Sequence, residues 1–467
     1  MSERKHKEKL LAEFVERHSH LPKQGSEQWL FDRTFTIGGS EIATVIGKNK
    51  YSNLSNLVAL KTKIISFRGN IATRWGRIME KSTELFVSSI FKCGHIYELG
   101  SIPHSTIDVH KYSPDGLCLM KINKKYYIVL LEFKAPYCSI PDGQIPPHYL
   151  PQVKAGLCTI DIADMAIFVN NVYRKCSMRQ LRFDDTYGYD SFFHSNDERK
   201  DIVFQEPIAI GIILFHIEDI EKATMVIKTL LEDQQDHSDF IDSDADSDSD
   251  SGSDSYSSSG YNSENEFSAG TESDSDYDLD ESIPYISAKT AAISIEKHIL
   301  SNMNNANPRL LDLGTVSYHE MNRFTEYVAA DSTSFIRTKH IRPNFNKTHG
   351  FGEELFVSPE LNAVFPEQDV NFVKTMRNYI NICKRKGRVP VAVMPWKLYK
   401  SDVILQQKDP HYLSIHEPKM RDVITQIKRI RHDDMDTTVR NYEKEFGRIA
   451  VVKNYWSGKS EKNNEPV

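Results

Sequence analysis

Two apolar runs separated by a short polar stretch stand out in the first third of the chain. They extend over residues 117–122 and 126–133, and the stretch between them is Asn123-Lys-Lys125. Apolar runs of strand length on both sides of such a stretch predict a β-hairpin with a tight turn. We expect the centre of the turn between Asn123 and Lys124.

The predicted hairpin brings three charged side chains to one face. Around a turn at that position, Asp115 lies directly opposite Glu132, with the two side chains about 5 Å apart. Lys134 points the same way as Glu132, because side chains alternate along a strand. Two facing carboxylates repel each other unless they share a proton or hold a cation, and their oxygen atoms favour Mg²⁺ or Mn²⁺.

An ammonium group beside two such carboxylates can orient a metal-bound water or offset the charge on a phosphate. The hairpin therefore indicates a hydrolytic phosphodiesterase site. The alternative is a surface hairpin with an ordinary Glu–Lys pair. The apolar run at residues 128–131 counts against the alternative, because a strand this apolar is normally covered on both faces. An ionised Glu132 at its end is costly there unless it is paired or bound to a metal.

Apolar periodicity predicts the remaining elements. It favours helices at residues 6–18, 74–91, 147–158, 217–231, 367–386 and 419–446, and strands at residues 163–172, 178–183, 208–216 and 388–397. Two of the helices carry candidate polar residues, Glu80 and Gln152. Taken alone, Glu80 is more typical of a solvated helix carboxylate and Gln152 of a surface amide.

The glycine-rich segment at residues 37–47 predicts a short helix with Ser40 as N-cap and Gly47 as C-cap. Its free backbone N–H groups could bind an anion, with Arg33 beside them. Simple capping is the alternative, and this segment by itself favours capping.

Composition places the chain among soluble globular proteins of two or three domains. It has 467 residues, of which 39% are hydrophobic and 26% are charged. No apolar run is long enough to span a membrane, and residues 1–21 lack the apolar core of a signal peptide, so we expect an intracellular protein that is not secreted. The six cysteines form no C-x-x-C pair and are expected to be reduced thiols.

Negative charge is concentrated in one segment. Residues 239–281 hold fifteen Asp and Glu and no Lys or Arg, so the remainder of a chain with net charge −7 carries +8. A basic remainder suits a protein that meets a polyanion. Low hydrophobicity and crowded like charges predict disorder in the segment. The expected organisation is a core at residues 1–232, a disordered acidic insertion at 233–283, and a C-terminal region at 284–467 that completes or extends the core.

Five short motifs occur in a recognisable order. They are Trp29…Arg33…Ser40, Gly76-x-x-x-Glu80, Ser113-Pro-Asp115-Gly, Glu132-Phe-Lys134 and Tyr149-x-x-Gln152. Together they resemble the phage lambda exonuclease and YqaJ-type viral recombinase family of the PD-(D/E)xK nuclease superfamily, over about residues 25–230. The resemblance implies an α/β fold with a restriction-endonuclease-like core, in which helices flank a mixed β-sheet. The C-terminal third has no match in the phage enzyme, and we expect it to be an α/β extension of this core. The hairpin is longer than is usual for this family.

The resemblance also implies roles for the motif residues. Asp115, Glu132, the Phe133 carbonyl and Glu80 would hold Mg²⁺, for which Mn²⁺ could substitute. Lys134 would act on the attacking water, which Gln152 would help to position. A second group would bind the 5′-phosphate of the degraded strand, and at the family's spacings it consists of Arg33, Ser40 and Ser113. This implication reverses the preference for simple capping at Ser40.

The function implied is a Mg²⁺-dependent deoxyribonuclease, a 5′-to-3′ exonuclease on duplex ends that acts in viral DNA recombination or replication. The implied partners are linear duplex DNA, a single-strand annealing protein and further copies of the chain, in the host cytoplasm or nucleus. Two alternatives stay open. One is an endonuclease or RNA-degrading nuclease of the same fold, and the other is a non-catalytic DNA-binding scaffold. The intact Asp115, Glu132 and Lys134 argue against a scaffold.

Overall fold

The structure is a computed structural model of the chain. It describes residues 2–65, 71–91, 93–137, 139–178, 181, 207–225, 288–306, 308–316, 324, 335–341, 344–345 and 372–447. The acidic segment and its predicted disorder lie outside the described residues. The division into three parts stays a prediction. In the described part of the chain, no helix combines the length and apolarity needed to cross a membrane.

The described elements comprise both strands and helices. The strands are β1 (Ile37–Gly38), β2 (Ile102–Pro103), β3 (His110–Tyr112), β4 (Gly116–Ile122), β5 (Lys125–Lys134), β6 (Met165–Lys175), β7 (Ala209–Ile217), β8 (Leu311–Asp312), β9 (Ile336–His340), β10 (Asn344–Phe345) and β11 (Val389–Gln407). The helices are α1 (Glu3–His18), α2 (Glu27–Asp32), α3 (Ile42–Val45), α4 (Leu54–Lys61), α5 (Ile71–Ile90), α6 (Leu150–Thr159), α7 (Ala288–Met303), α8 (Phe372–Arg385), α9 (Tyr412–Ile430) and α10 (Met435–Phe446). The predicted α/β class with a mixed sheet flanked by helices is confirmed.

The predicted hairpin is present in the predicted register. β4 and β5 pair antiparallel, and the pairs run from Ile122 opposite Lys125 to Gly116 opposite Leu131. Asn123 and Lys124 have φ angles of +48° and +67°. Two successive positive φ angles are those of a type I′ turn, whose twist matches that of the strands. One step beyond Gly116, the same register places Asp115 opposite Glu132.

The hairpin lies at one end of a mixed sheet whose order is β10-β7-β11-β6-β5-β4, with β8 paired to β11 and β9 to β7. β5 and β6 are parallel, and α6 connects them. The two faces of β5 are covered by different helices. Val129 and Leu131 pack with residues of α5, whereas Ile128 and Leu130 pack with residues of α1 and α6. Because side chains alternate along a strand, the Glu132 side chain lies on the same face as Leu130, the face covered by α6.

The C-terminal region completes this sheet. β11 pairs antiparallel with both β6 and β7 and so lies between them. The strand expected to end at a proline near residue 395 continues instead to Gln407. Pro395 has no N–H group, but its carbonyl accepts a hydrogen bond from the Cys176 amide at 3.0 Å, so pairing continues past it.

Two other predicted elements were wrong. Met178 and Leu181 are helical, although residues 178–183 were expected to form a strand. The single helix expected at residues 419–446 consists of α9 and α10. The break occurs because Asp434 caps the second helix, accepting a hydrogen bond from the Thr437 amide at 2.8 Å.

A second, small sheet brings the N-terminal motif beside the hairpin. Its order is β1-β3-β2, and β1 pairs parallel with β3, with Gly38 opposite Lys111. β3 leads through Ser113 and Asp115 into β4. The residues around Ser40 and those that begin the hairpin therefore share one edge of the molecule.

Candidate active site

Glu132 lies at the centre of the candidate site, and its side chain is fully buried. Lys134 Nζ and Gln152 Nε2 both donate hydrogen bonds to its Oε1 atom. The Tyr112 hydroxyl donates to Oε2 at 2.7 Å. A carboxylate has about four acceptor positions, so three donors hold Glu132 in one orientation and leave about one position for a further partner.

Asp115 lies beside Glu132 at the open end of the hairpin. Its Oδ2 atom accepts a hydrogen bond from the Phe133 amide at 2.7 Å. The N–H and C=O groups of one strand residue point to the same side, so the Phe133 carbonyl also points towards Asp115. Burial, and then the negative charge of Glu132, raise the pKa of Asp115 well above its usual value. The negative charges of Asp115 and Glu132 are therefore not balanced within the pair itself.

Lys134 supplies one positive charge to this pair. Burial by itself would lower its pKa, but Glu132 and Asp115 outweigh that effect and raise the pKa above its usual value. The side chain is therefore an ammonium ion, and its Nζ atom lies 5.1 Å from the centre of the Tyr149 ring. Such a group can donate hydrogen bonds to a water or a phosphate but does not accept a proton.

Glu80 faces the same cleft from α5. Burial raises its pKa, and the charge of Lys134 acts in the opposite direction. Within the ranges described, no three His, Cys, Asp or Glu side chains are grouped closely enough to hold a metal ion. The structure thus brings Asp115 and Glu132 together and places Glu80 in their cleft, without joining the three into one cluster.

The donor set nevertheless suits a divalent cation. It consists of oxygen atoms, namely the two carboxylates of the hairpin, the Phe133 carbonyl and the Glu80 carboxylate. Hard oxygen donors are those that Mg²⁺ and Mn²⁺ prefer. The three carboxylates face the Lys134 ammonium group, and Glu80 also interacts with Arg77, so two positive charges leave an excess of negative charge that a divalent cation would neutralise.

The three predicted phosphate-binding residues line the same cleft, which has a volume of about 1510 Å³. The Arg33 guanidinium lies 4.4 Å from the centre of the Trp29 ring, and its Nη2 atom lies 3.4 Å from Ser40 Oγ. Trp29 Nε1 donates to Ser113 Oγ at 3.0 Å. Trp29 therefore links Arg33 to Ser113. Ser40 belongs to a 3₁₀ turn, Gly39–Glu41, and is not the helix N-cap that was expected.

The motifs did not indicate Glu41 and Lys61, which hold Arg33 in place. Glu41 accepts hydrogen bonds from Arg33 Nη2 at 2.9 Å and from the Gly38 amide at 2.7 Å, and it forms an ion pair with Lys61 at 2.8 Å. Burial opposes ionisation, but Lys61 and Arg33 outweigh it and lower the pKa of Glu41 to about 2. Lys61 is buried and donates to the Arg33 carbonyl at 2.7 Å.

Tyr112 is also a site residue that the motifs did not single out. The sequence signal for Tyr112 is a pair of glycines, Gly39 and Gly156, that are distant from it in the chain. A Cβ atom at Gly39 would lie 2.4 Å from the Tyr112 ring, and one at Gly156 would lie 2.5 Å from it. Both positions must lack a side chain for the Tyr112 hydroxyl to reach Glu132.

Comparison with known proteins identifies the region that holds this site. Residues 28–163 match the family model of the YqaJ-like viral recombinase domain. This region is a YqaJ-like domain. It includes every residue of the candidate site and ends just before β6, so the YqaJ-like domain depends on later strands to complete its sheet. The family expected from the motifs is confirmed.

Similar curated proteins come from African swine fever virus. A protein of isolate Tick/Malawi/Lil 20-1/1983 is 28% identical over a match that covers 36% of this chain and 55% of that protein. Its counterpart in isolate Tick/South Africa/Pretoriuskop Pr4/1996 is 27% identical over the same shares. The chain thus spans about half the length of the curated relatives it matches.

Solved structures that match part of the chain include the alkaline exonuclease LHK-Exo from Laribacter hongkongensis. It is 22% identical, with a TM-score of 0.25, and the match covers 31% of this chain and 73% of that one. The structure of LHK-Exo in complex with dAMP matches over the same shares with a TM-score of 0.24.

Proposed function

We propose that the chain is a Mg²⁺-dependent deoxyribonuclease that degrades duplex DNA from 5′-phosphorylated ends in the 5′-to-3′ direction, in viral recombination or replication. The observation that carries the proposal is the pair formed by Asp115 and Glu132 on a covered hairpin, with Lys134 at their side. The YqaJ-like viral recombinase domain to which the site belongs supports DNA as the substrate.

The site residues divide the chemistry among them. Asp115, Glu132, the Phe133 carbonyl and Glu80 would hold Mg²⁺, with Mn²⁺ as a substitute. When bound, such an ion lowers the pKa of a water and stabilises charge on a phosphate. Lys134 donates a hydrogen bond to the water or to a phosphate oxygen, because its ammonium form is favoured. Gln152 and Tyr112 keep the Glu132 carboxylate in one orientation.

The pocket formed by Arg33, Ser40 and Ser113 supports the proposed preference of the enzyme for 5′-phosphorylated DNA ends. A terminal 5′-phosphate carries more negative charge than an internal phosphodiester and can accept a charge-assisted hydrogen bond from a guanidinium. Arg33 is fixed by Trp29 on its face and by Glu41 at its edge, so little ordering is needed when the phosphate binds.

Digestion of three linear duplexes tests the proposal. They carry 5′-phosphate, 5′-hydroxyl or covalently closed ends, and each is incubated with and without Mg²⁺. We expect mononucleotides and 3′ single strands from the phosphorylated duplex, slower digestion of the hydroxyl duplex, no digestion of the closed one, and no reaction without the metal ion. Cleavage of the closed duplex at the same rate as the phosphorylated duplex would show an endonuclease. Faster cleavage of RNA than of the phosphorylated DNA duplex would show a ribonuclease.

The Arg33→Ala variant should be slower on phosphorylated ends by about ten- to a hundredfold. This range corresponds to the roughly 1.5–3 kcal/mol of one hydrogen bond to a charged group. The digestion rate of ends that lack the phosphate should be nearly the same for the variant and the unchanged chain. The two rates can be compared by single-turnover digestion, with Arg17→Ala on α1 as the control, since Arg17 is exposed and does not line the cleft. Equal slowing on both ends would mean that Arg33 is structural or contacts the backbone generally.

Deletion of residues 239–281 should leave the fold and the basal activity in place. The segment has few apolar residues to bury, so we expect a melting temperature within about 2 °C of that of the full chain. Affinity for nonspecific DNA should rise, because fifteen acidic residues no longer compete for the basic remainder. A sharp fall in melting temperature would show instead that the segment is part of the core.

A further inference from the structure

A row of aromatic rings leads from the candidate active site to the mouth of the cleft. It begins at Tyr149, beside Lys134, and the His148 ring lies 4.1 Å from the Tyr149 ring. The Tyr51 ring meets His148 edge to face at 5.1 Å. Lys50 Nζ lies 4.7 Å from the centre of the Tyr51 ring. The row thus consists of three successive rings with a lysine at each end, and all of its members line the cleft.

The outermost ring of this row is not core packing. Tyr51 is 54% exposed, so it forgoes about half of the stabilisation that full burial of the ring would give. Lys48 and Lys50 on the same turn are also exposed, and neither forms an ion pair with another described residue. An exposed aromatic ring beside lysines that form no ion pair is typical of surfaces that bind single-stranded nucleic acid.

The turn that carries Tyr51 is held rigidly. Asn49 Oδ1 accepts a hydrogen bond from the Tyr51 amide at 2.9 Å, while Asn49 Nδ2 donates to Thr44 Oγ1 at 2.8 Å. The Lys48 amide donates to the Ala43 carbonyl at 2.7 Å. Gly47, with φ of +75°, allows the chain to reverse there. These contacts tie the turn to α3, so Tyr51 is presented without a large entropy cost on binding.

The His148 ring comes from a second fixed turn, far along the chain. The Tyr149 amide donates to the Pro146 carbonyl at 2.8 Å, and Pro147 restricts the backbone between them. Burial, and then the charges of Lys50 and Lys134, lower the pKa of His148 to about 4. The ring is therefore uncharged and can stack as an apolar surface.

We propose that the exposed Tyr51 ring is a stacking platform for an unpaired base of the DNA strand that enters the cleft, with the His148 ring supporting Tyr51 edge to face and Lys50 beside the adjoining phosphate. This inference rests on the proposed function for the identity of the strand. A polynucleotide carries negative phosphates beside its flat bases, and the exposed Tyr51 ring with the Lys50 ammonium group next to it offers a partner for each. The platform would keep the strand single and extended between the duplex and the active site.

Binding of a short single-stranded oligodeoxynucleotide in EDTA tests the platform without any cleavage. One base is replaced by 2-aminopurine, whose fluorescence falls when it stacks. We expect quenching by the full chain and a loss of affinity of about five- to 150-fold for Tyr51→Ala, because stacking on one aromatic ring is worth roughly 1–3 kcal/mol. Tyr51→Phe and Tyr51→Trp should retain both affinity and quenching.

Tyr126→Ala is the matched control. Tyr126 also lies under two cations, with Arg4 at 5.7 Å and Lys121 at 5.8 Å, but it does not line the cleft. The Tyr126→Ala variant should bind the oligodeoxynucleotide with the same affinity as the unchanged chain. Equal affinity of the Tyr51→Ala and Tyr126→Ala variants, or no quenching by the unchanged chain, would overturn the platform. Tighter, Tyr51-dependent binding of the corresponding RNA would overturn the choice of DNA.

The platform and the proposed function can fail separately. If Tyr51→Ala loses binding while Asp115→Asn cleaves at the normal rate, the platform stands and the assignment of the active site is wrong. If Asp115→Asn is inactive and Tyr51→Ala binds normally, the active site stands and the platform is wrong. Unfolding is checked by the melting temperature of Tyr51→Ala, which should be unchanged because the side chain is half exposed.

Discussion

The Asp115→Asn variant should lose Mg²⁺-dependent cleavage by about a thousandfold or more. A metal ion at a phosphodiester contributes several kcal/mol of charge stabilisation, and each 1.36 kcal/mol corresponds to a factor of about ten in rate. The exchange is conservative in shape. The asparagine carbonyl can still accept the hydrogen bond from the Phe133 amide, which Asp115 accepts at 2.7 Å. The change removes the charge and replaces one carboxylate oxygen by an NH₂ group. DNA binding should be nearly unchanged.

Thermal unfolding gives a second measurement for this variant. Without divalent ions its melting temperature should not fall, because the change removes one of two mutually repelling carboxylates, of which Asp115 is partly and Glu132 fully buried. Mg²⁺ should raise the melting temperature of the unchanged chain and have little effect on the variant. Asp108→Asn is the control, since its side chain is 79% exposed and does not line the cleft. Normal turnover by Asp115→Asn would refute the nuclease assignment.

Lys134→Ala should reduce the single-turnover rate by about 10²- to 10⁴-fold. This is the usual contribution of a positioned side chain that acts on a proton or a developing charge in the transition state. The ammonium group of Lys134 donates to Glu132 and lies beside Asp115, so it is placed to contact a water or phosphate at the pair. Its removal leaves all of the oxygen donors in place.

A measurement of metal binding distinguishes a role of Lys134 on water or phosphate from a role in organising the metal site. The stabilisation of Lys134→Ala by Mg²⁺, measured as a shift in melting temperature, should equal or exceed that of the unchanged chain, because the site has lost a competing positive charge. Lys121→Ala on the same hairpin is the control, since Lys121 is exposed and outside the cleft. If Mg²⁺ no longer stabilises the variant, Lys134 organises the metal site and its proposed role on water or phosphate is wrong.

The hairpin shows which features depend on local sequence. Its register follows from alternation along the strands and from a turn whose residues Asn123 and Lys124 adopt positive φ. Both are properties of a few consecutive residues. The facing of Asp115 and Glu132 therefore follows from the sequence, and so does the side to which Lys134 points. The order and spacing of the five short motifs were enough to predict the family.

The sequence determined the elements whose cause is local, and the tertiary structure decided every feature that depends on residues distant in the chain. β11 lies between β6 and β7, more than 200 residues from β6, and no periodicity encodes that choice of partners. The ion pair of Glu41 with Lys61 fixes Arg33, but each residue alone is an ordinary charged residue near a helix. Tyr112 reaches Glu132 only because Gly39 and Gly156 leave space for its ring. Hydrophobic alternation specifies which face of an element is buried, whereas packing among distant segments determines what that face meets.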